Sequence, residues 1–316
     1  MKDILTWAAA HKAGFGRENL TFTHDLHNSP LFTDEALIAL IDRYPRDKLE
    51  VFTMGYDPTN WGQWFLGRRG AHDGRALMEG VKAGRLWLNL RKVNHSDADI
   101  GALCEAMFSE IRAQTGVRTL KEDLGLLISS PNAHVFYHLD IQLVTLWQIR
   151  GVKHVYVYPP KDPYVSDHDL EGVALRESDE QLRFDPAWDA EAMKVEFVPG
   201  QMLTWTQNAP HRIVNQDSVN VSLSIEFMTP AAIWRANVIY ANGCLRRWLG
   251  LKPTLATSPR WLEPFKVVFA RLVKMAGGYN GNKSPLKPRF TLDDTRPEVL
   301  HFDEGVEVPM PSNRAA

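Results

Sequence analysis

The chain predicts a mainly β core, a sandwich or barrel, with helices before and after it, and three observations carry that prediction. Between Gly125 and Phe227 apolar and polar residues alternate in short runs, most clearly where Val219, Val221, Leu223, Ile225 and Phe227 are interleaved with Asn220, Ser222, Ser224 and Glu226. Turn formers divide the runs: Val155 to Tyr158 stops at Pro159-Pro160, and Val195 to Val198 turns at Pro199-Gly200 into Gln201 to Trp205. On either side of this stretch apolar residues recur at three- and four-residue spacings, the period of a helix buried along one face.

The elements follow in order. Residues 1–120 read as a mixed α/β region packing on the core. Its first clear helix spans Asp34 to Tyr44, with Thr33 as N-cap, Asp34 and Glu35 in the first turn, and Pro45 past the end. A second runs from Asp97 to Thr115 on Ile100, Leu103, Cys104, Met107, Phe108 and Ile111; Ser96 with Asp99 forms its expected capping pair, and Gly116 stops it. Residues 121–230 form the β core, interrupted by an acidic, Pro-containing insert from Lys161 to Glu191 that is either a substrate entrance or a solvated connection. Residues 231–276 carry two helices, Ala231 to Leu249 and Trp261 to Met275. The tail, 277–316, is rich in Pro, Asn and charge and reads as extended or partly disordered.

Composition removes several function classes. A net charge of -2 and a pI near 6.6 give no general case for nucleic-acid binding. Two cysteines, Cys104 and Cys244, are too few for a Cys-rich zinc framework and suit a reducing compartment. No apolar run approaches the roughly 18 residues of a spanning helix, and the N-terminal residues lack the pattern of a secretory signal. A cytoplasmic protein is the expectation.

The chemistry-bearing motif is His138-Leu139-Asp140. Two imidazoles and one carboxylate hold non-haem Fe(II) on one triangular face and leave the opposite face open. With 11 His in 316 residues, a His-x-Asp triplet arises about once by chance, and this chain has three. His95-Ser96-Asp97 falls at a helix start, and His301-Phe302-Asp303 falls in the irregular tail. Only His138-Leu139-Asp140 lies in strand-like sequence, where residues two apart share a face. The second histidine must then come from a neighbouring strand.

The stretch from His138 through Gly151-Val152-Lys153 to Tyr158-Pro159-Pro160 resembles the metal-binding strand, Gly-x-Lys turn and Pro-Pro stop of the JmjC-type, cupin-like Fe(II)/2-oxoglutarate oxygenases. The resemblance is to the branch of the asparaginyl hydroxylase called factor inhibiting HIF. Pro199-Gly200-Gln201-Met202-Leu203 and Asn208-Ala209-Pro210-His211 are similar to the second half of that pattern. The resemblance covers residues 125 to 228 closely and the N-terminal region loosely. It implies a double-stranded β-helix of jelly-roll type, His138, Asp140 and His211 as iron ligands, and Lys153 on the distal carboxylate of 2-oxoglutarate. A keto acid that chelates iron at one end leaves a carboxylate that needs a cation within the barrel. Departures fall around the co-substrate. Val135 stands where relatives place a hydroxyl, Trp87 where they place a tyrosine with Asn89 as the substitute polar partner, and Ser224 where they place an asparagine. The implied activity is hydroxylation of a protein side chain or a small metabolite. The alternatives are a non-oxidative metal-dependent cupin isomerase or hydrolase, and a binding module without turnover.

Other residues have two readings each. His134 shares strand parity with His138 and Asp140, so it faces the barrel or is a satisfied structural histidine. Trp147 and Trp205 line the cavity or belong to the core. His24 and His27 make a poor zinc site without thiolates. Trp61, Trp64 and Gly67-Arg68-Arg69-Gly70 form a stacking and anion-binding surface or a mobile basic loop. The C-terminal helices, with Trp234, Trp248, Phe265, Phe269 and Leu272 among their apolar residues, serve a homodimer or pack on their own barrel.

Overall fold

The structure is a computed structural model in which residues 3–178, 180–281 and 285–308 are described. The chain opens with α1 (Ala9–Gly14), β1 (Leu20–Thr23), α2 (Asp34–Arg43), β2 (Leu49–Thr53), β3 (Phe65–Arg68), α3 (Gly74–Ala83), β4 (Trp87–Leu90) and α4 (Ala98–Thr115). The central region follows with β5 (Leu120–Ser129), β6 (His134–His138), β7 (Leu143–Arg150), β8 (Lys153–Val157), α5 (Asp167–Leu175), β9 (Met193–Phe197), β10 (Gln201–Thr204), β11 (His211–Asn215) and β12 (Asn220–Met228). The chain then forms α6 (Pro230–Leu249), α7 (Glu263–Met275), β13 (Phe290–Leu292) and β14 (Leu300–Phe302).

Two sheets face each other, as the predicted jelly-roll core requires. The larger has the order β1-β10-β7-β12-β5-β4-β2-β3-β13-β14, and the smaller β6-β11-β8-β9. Val144, Leu146 and Leu203 of the larger sheet pack with Val155, Val157, Phe197 and Ile213 of the smaller one, which closes the barrel interior. The outer face of the larger sheet carries Val221, Leu223, Ile225 and Phe227 of β12 with Leu124, Leu126 and Ile128 of β5. These pack into one apolar core with Leu37, Leu40, Val81, Met107 and Phe108 of the N-terminal helices. Strict alternation on β12 serves both faces at once.

The caps account for the helix starts. Thr33 accepts from the Ala36 amide at 3.2 Å, as its residue type predicts. For α4 the cap is Asp97, whose Oδ1 accepts from Ile100, and not Ser96: a short 3-10 turn over Val93–His95 uses the Ser96 amide on the Val93 carbonyl and delays the helix. The insert holds α5, started by Ser166 and Asp169 bonding reciprocally as a capping box.

Two regions depart from expectation. The tail is not merely extended, because β13 pairs parallel with β3 and antiparallel with β14, adding two strands to the sheet edge. Phe290 is fully buried there, which repays ordering a polar segment. The Gly67-Arg68-Arg69-Gly70 segment is likewise no open basic tip. Arg68 makes a bidentate pair with Asp303 of the tail, and buried Arg69 donates twice to the His72 carbonyl.

Helices α5, α6 and α7 form a separate small core around Leu175, Tyr240, Ala241, Cys244 and Ala270, tied by Arg246 and Arg247 to buried Glu171. The outer faces of α6 and α7 leave Trp248, Phe265, Leu272 and Met275 exposed. Among the described residues no helix is long and apolar enough to cross a membrane.

Candidate metal centre

The backbone brings the three predicted ligands together at one mouth of the barrel. His138 ends β6 and His211 begins β11, and the two sit opposite each other in an antiparallel pair. Val157 of β8 flanks His211 on the other side. Asp140 lies just beyond the end of β6, where the chain still alternates: Leu139 turns into an apolar cluster with Tyr137, Tyr158 and Tyr164, so its two neighbours face the opposite way. The ligand atoms of His138, Asp140 and His211 all lie within 4.8 Å of one another, the one such group of metal-binding residue types among the described residues. His24 and His27 join no such group; buried His24 instead bonds the Gln201 carbonyl.

The hydrogen bonds behind the imidazoles decide their tautomers. Nδ1 of His138 donates to the Phe136 carbonyl at 2.8 Å, and Nδ1 of His211 donates to the Ala209 carbonyl at 3.1 Å. Each Nε2 therefore presents a lone pair to the centre. Burial lowers the pKa of His138 to about 4 and that of His211 well below its ordinary value, with His138 adding to the second effect, so both rings are neutral. Burial, with Glu180 and Glu226 adding, pushes the Asp140 carboxyl well above its usual range. His211 Nε2 faces an Asp140 oxygen at 3.4 Å. Two buried lone-pair donors aimed at one point, beside a carboxyl short of positive charge, fit a divalent cation. The donor chemistry is that of a His-Asp-His site.

The loop before His211 steadies this arrangement. Asn208, in the left-handed region at φ 64°, donates from its amide to the Asp140 carbonyl at 2.9 Å, and Arg235 of α6 holds the Asn208 side-chain oxygen. Gln207 donates to the Ile141 carbonyl at 2.8 Å. These contacts position the backbone at and just after Asp140. Asn208 was visible in sequence only as part of a motif, because its partner lies 68 residues away.

Lys153 is 3% exposed at the start of β8, on the inner face with Val155 and Val157. Its Nζ donates to Ser222 Oγ at 2.6 Å, Ser222 donates to Gln148 Oε1 at 2.7 Å, and Gln148 donates in turn to Asn220. Burial draws its pKa down to about 7. No carboxylate ion pair holds this ammonium among the described residues. Its sequence-predicted neighbour Ser224 lies one inward step along β12, and it is Ser222 that touches the lysine.

A cavity of about 1320 Å³ opens from the metal ligands. Leu127, Val135, Leu146 and Ile213 line it from the barrel interior; Lys153, on the same inner face of β8 as Val155 and Val157, is not among its lining residues. Asn89 and Ser224 line the cavity, and Asn89 donates to Glu50 at 2.9 Å. Trp205 lines it with its ring 4.4 Å from that of His211, and Trp64 lines it stacked on Phe52. Trp147 does not line it: fully buried, it faces the outer apolar core. The insert contributes Val173 to Arg176, Ser178, Glu180 and Gln181, so it does shape the entrance.

His134 does not face the barrel, and the reason is local. Between His211 and Ile213 on β11, the partner strand runs from His138 to Val135, three residues against two, which is a bulge. The extra residue flips the parity, so Val135 faces inward and His134 packs beside Arg85 and Met54. A count by twos from His138 fails there.

No family model matches the chain, and no curated protein matches it. Among solved structures, the X-ray structure of ycfD from E. coli is 16% identical and covers 91% of this chain and 75% of that one, with a TM-score of 0.49. A structure titled YcfD, a ribosomal oxygenase from Escherichia coli in complex with cobalt and 2-oxoglutarate, is 17% identical, covers 92% and 75%, and has a TM-score of 0.48. A third, the same oxygenase with cobalt and succinic acid, is 16% identical over 92% and 75%, with a TM-score of 0.43.

Proposed function

We propose that this chain is an Fe(II)- and 2-oxoglutarate-dependent oxygenase of the JmjC-type, cupin-like kind, hydroxylating a side chain of a peptide or protein. The observation that carries the reading is the convergence of two neutral imidazoles, each oriented through Nδ1, on the half-buried carboxyl of Asp140. When bound, iron and the keto acid supply the oxidising power: dioxygen puts one oxygen atom into a substrate C–H bond and the other into succinate, with release of carbon dioxide.

The chain's own residues bind and orient. His138, Asp140 and His211 would hold the metal, while Asn208 and Gln207 hold the backbone that carries Asp140. Lys153 supplies the cation for the far carboxylate of the co-substrate, with Ser222 and Gln148 fixing where its ammonium sits. Asn89 and Ser224 are polar groups of the cavity that the metal ligands line. No side chain of the site is needed as an acid or base.

The cavity favours a peptide over a small metabolite. About 1320 Å³ exceeds the roughly 300–1,000 Å³ of pockets that enclose a small ligand. Its wall also reaches beyond the barrel to Ile233, Asn237 and Tyr240 of α6, Lys274 of α7, and Tyr279. A cytoplasmic setting accords with the two buried free thiols, and a second copy of the chain is the proposed occupant of the apolar outer faces of α6 and α7.

The test is an untargeted mass-spectrometric search of peptides and metabolites for a gain of one oxygen that needs Fe(II), 2-oxoglutarate and intact His211. Oxygenated peptides support the reading. Turnover of a substrate with metal but without oxygen uptake points instead to a cupin isomerase or hydrolase, and ligand binding that survives both His138→Ala and Asp140→Ala points to a binding module.

A further inference from the structure

One turn serves two of the three ligands. Asn208 donates to the Asp140 carbonyl at 2.9 Å, and Ala209, the next residue, supplies the carbonyl that accepts from Nδ1 of His211 at 3.1 Å. The Ala209 amide closes the turn on the Thr206 carbonyl at 3.0 Å, and Asn208 and Ala209 are both buried. A displacement of this turn therefore shifts Asp140 and rotates the His211 ring together.

The turn is held from outside the barrel. Arg235 of α6 donates from Nε to Asn208 Oδ1 at 2.9 Å. The Gln207 amide that donates to the Ile141 carbonyl at 2.8 Å also donates to the Ala232 carbonyl of α6 at 3.2 Å. Each amide side chain thus bridges the segment carrying Asp140 and the helix. Asparagine suits position 208 because its side chain accepts at one end and donates at the other, and because it tolerates a φ of 64° better than most residues. Aspartate there would still accept from Arg235 but would leave the Asp140 carbonyl without its donor.

Arg235 differs from the other arginines of its helix. Arg246 and Arg247 are paired with Glu171 and Glu177, which ties α6 to α5. Among the described residues no ion pair holds Arg235, and the Asn208 oxygen is its one side-chain hydrogen-bond acceptor. A half-buried guanidinium without a carboxylate adds little to the fold. What it does add is a link between α6 and the turn.

We infer that Arg235 is a positioning residue of the metal centre: through Asn208 it holds Asp140 and His211 in their metal-binding arrangement, and so couples the docking of α6 to metal affinity. The inference rests on reading His138, Asp140 and His211 as metal ligands, and not on what is oxidised.

The test is Co(II) titration of the full chain under nitrogen, read by visible absorption, beside a melting curve of each metal-free protein. The variants are His211→Ala, Arg235→Met, Arg235→Lys, Asn208→Gly and the double variant Arg235→Met with Asn208→Gly. Glycine accepts the backbone conformation of position 208 and removes both bonds. Arg235→Met and Asn208→Gly are each expected to weaken Co(II) binding by the folded protein at least about tenfold and to change the visible band. The double variant should bind no more weakly than Asn208→Gly alone, and Arg235→Lys, which keeps a donor, should recover most of the loss. In the wild type, Co(II) should also slow hydrogen exchange of the α6 amides from Ala232 to Arg235. Wild-type affinity and band in folded Arg235→Met, losses that add in the double variant, or α6 exchange indifferent to Co(II) overturns the inference. Where Arg235→Met does not fold, the exchange of the wild-type chain decides. A wild-type chain that binds no Co(II), or binds it equally well as His211→Ala, sinks the metal-site reading itself. Binding that is lost in His211→Ala and intact in Arg235→Met sinks only the role of Arg235.

Discussion

The two faces of β12 meet opposite demands within one strand. Outward, Val221, Leu223, Ile225 and Phe227 are fully buried in an apolar core that also takes in residues of α2, α3, α4 and α6. Inward, Asn220, Ser222, Ser224 and Glu226 enter the barrel, where Ser222 supports an ammonium and Glu226 lines the cavity shared with the metal ligands. The contrast shows where stability and function are separately held. Burying groups such as Lys153 and Asp140 is unfavourable, and the outer core offsets that cost without touching the chemistry.

Removal of a ligand should break the contrast most sharply. His211→Ala is expected to abolish Fe(II)-dependent turnover and to weaken metal binding by at least about a hundredfold, while thermal unfolding of the metal-free protein moves little. Isothermal titration with Fe(II) under nitrogen, alongside a melting curve, checks both halves. On the opposite face, Leu223→Ala should cost about 2–5 kcal/mol of folding stability through the cavity it leaves, with metal affinity of the folded fraction unchanged. Urea unfolding gives that number.

Smaller effects sharpen the comparison. Lys153→Ala should raise the 2-oxoglutarate concentration needed for half-maximal turnover by about 10- to 100-fold, the value of one charge-assisted bond of roughly 1.5–3 kcal/mol, without lowering stability. The loss of a buried ammonium with no carboxylate beside it removes a penalty and not a support. The last effect is a pH dependence. Burial holds the Lys153 pKa near 7 in the folded chain against 10.5 for a free lysine. Between those values the unfolded chain binds the extra proton, so stability rises with pH across this window and the penalty is fully present below pH 7. Binding of the co-substrate carboxylate needs the charged form, so its affinity should fall about tenfold per pH unit above 7, and Lys153→Arg should flatten that slope. Direct binding measured from pH 6 to 9 decides it.

Much of this was legible in the chain. The inward and outward residues of β12, the Thr33 cap, the Pro-Gly turn before β10 and the grouping of His138, Asp140 and His211 all follow from period, turn chemistry and motif. What failed was non-local. The β6 bulge cannot be seen from one strand, so parity left His134 with two readings, of which the structure supports the structural histidine. The pairing of β13 with β3 depends on residues more than 200 positions apart, so a polar tail concealed two strands.

The central claim is that neutral His138 and His211 with Asp140 would hold a metal that supports the oxidation of a keto acid by dioxygen. The most direct measurement is oxygen uptake and succinate formation by the purified chain given Fe(II) and 2-oxoglutarate, in the wild type and in Asp140→Ala. The account predicts Fe(II)-dependent uptake matched by equal succinate in the wild type and neither in the variant. Fe(II) bound at the triad with no oxygen uptake, or succinate formed equally by Asp140→Ala, would contradict it.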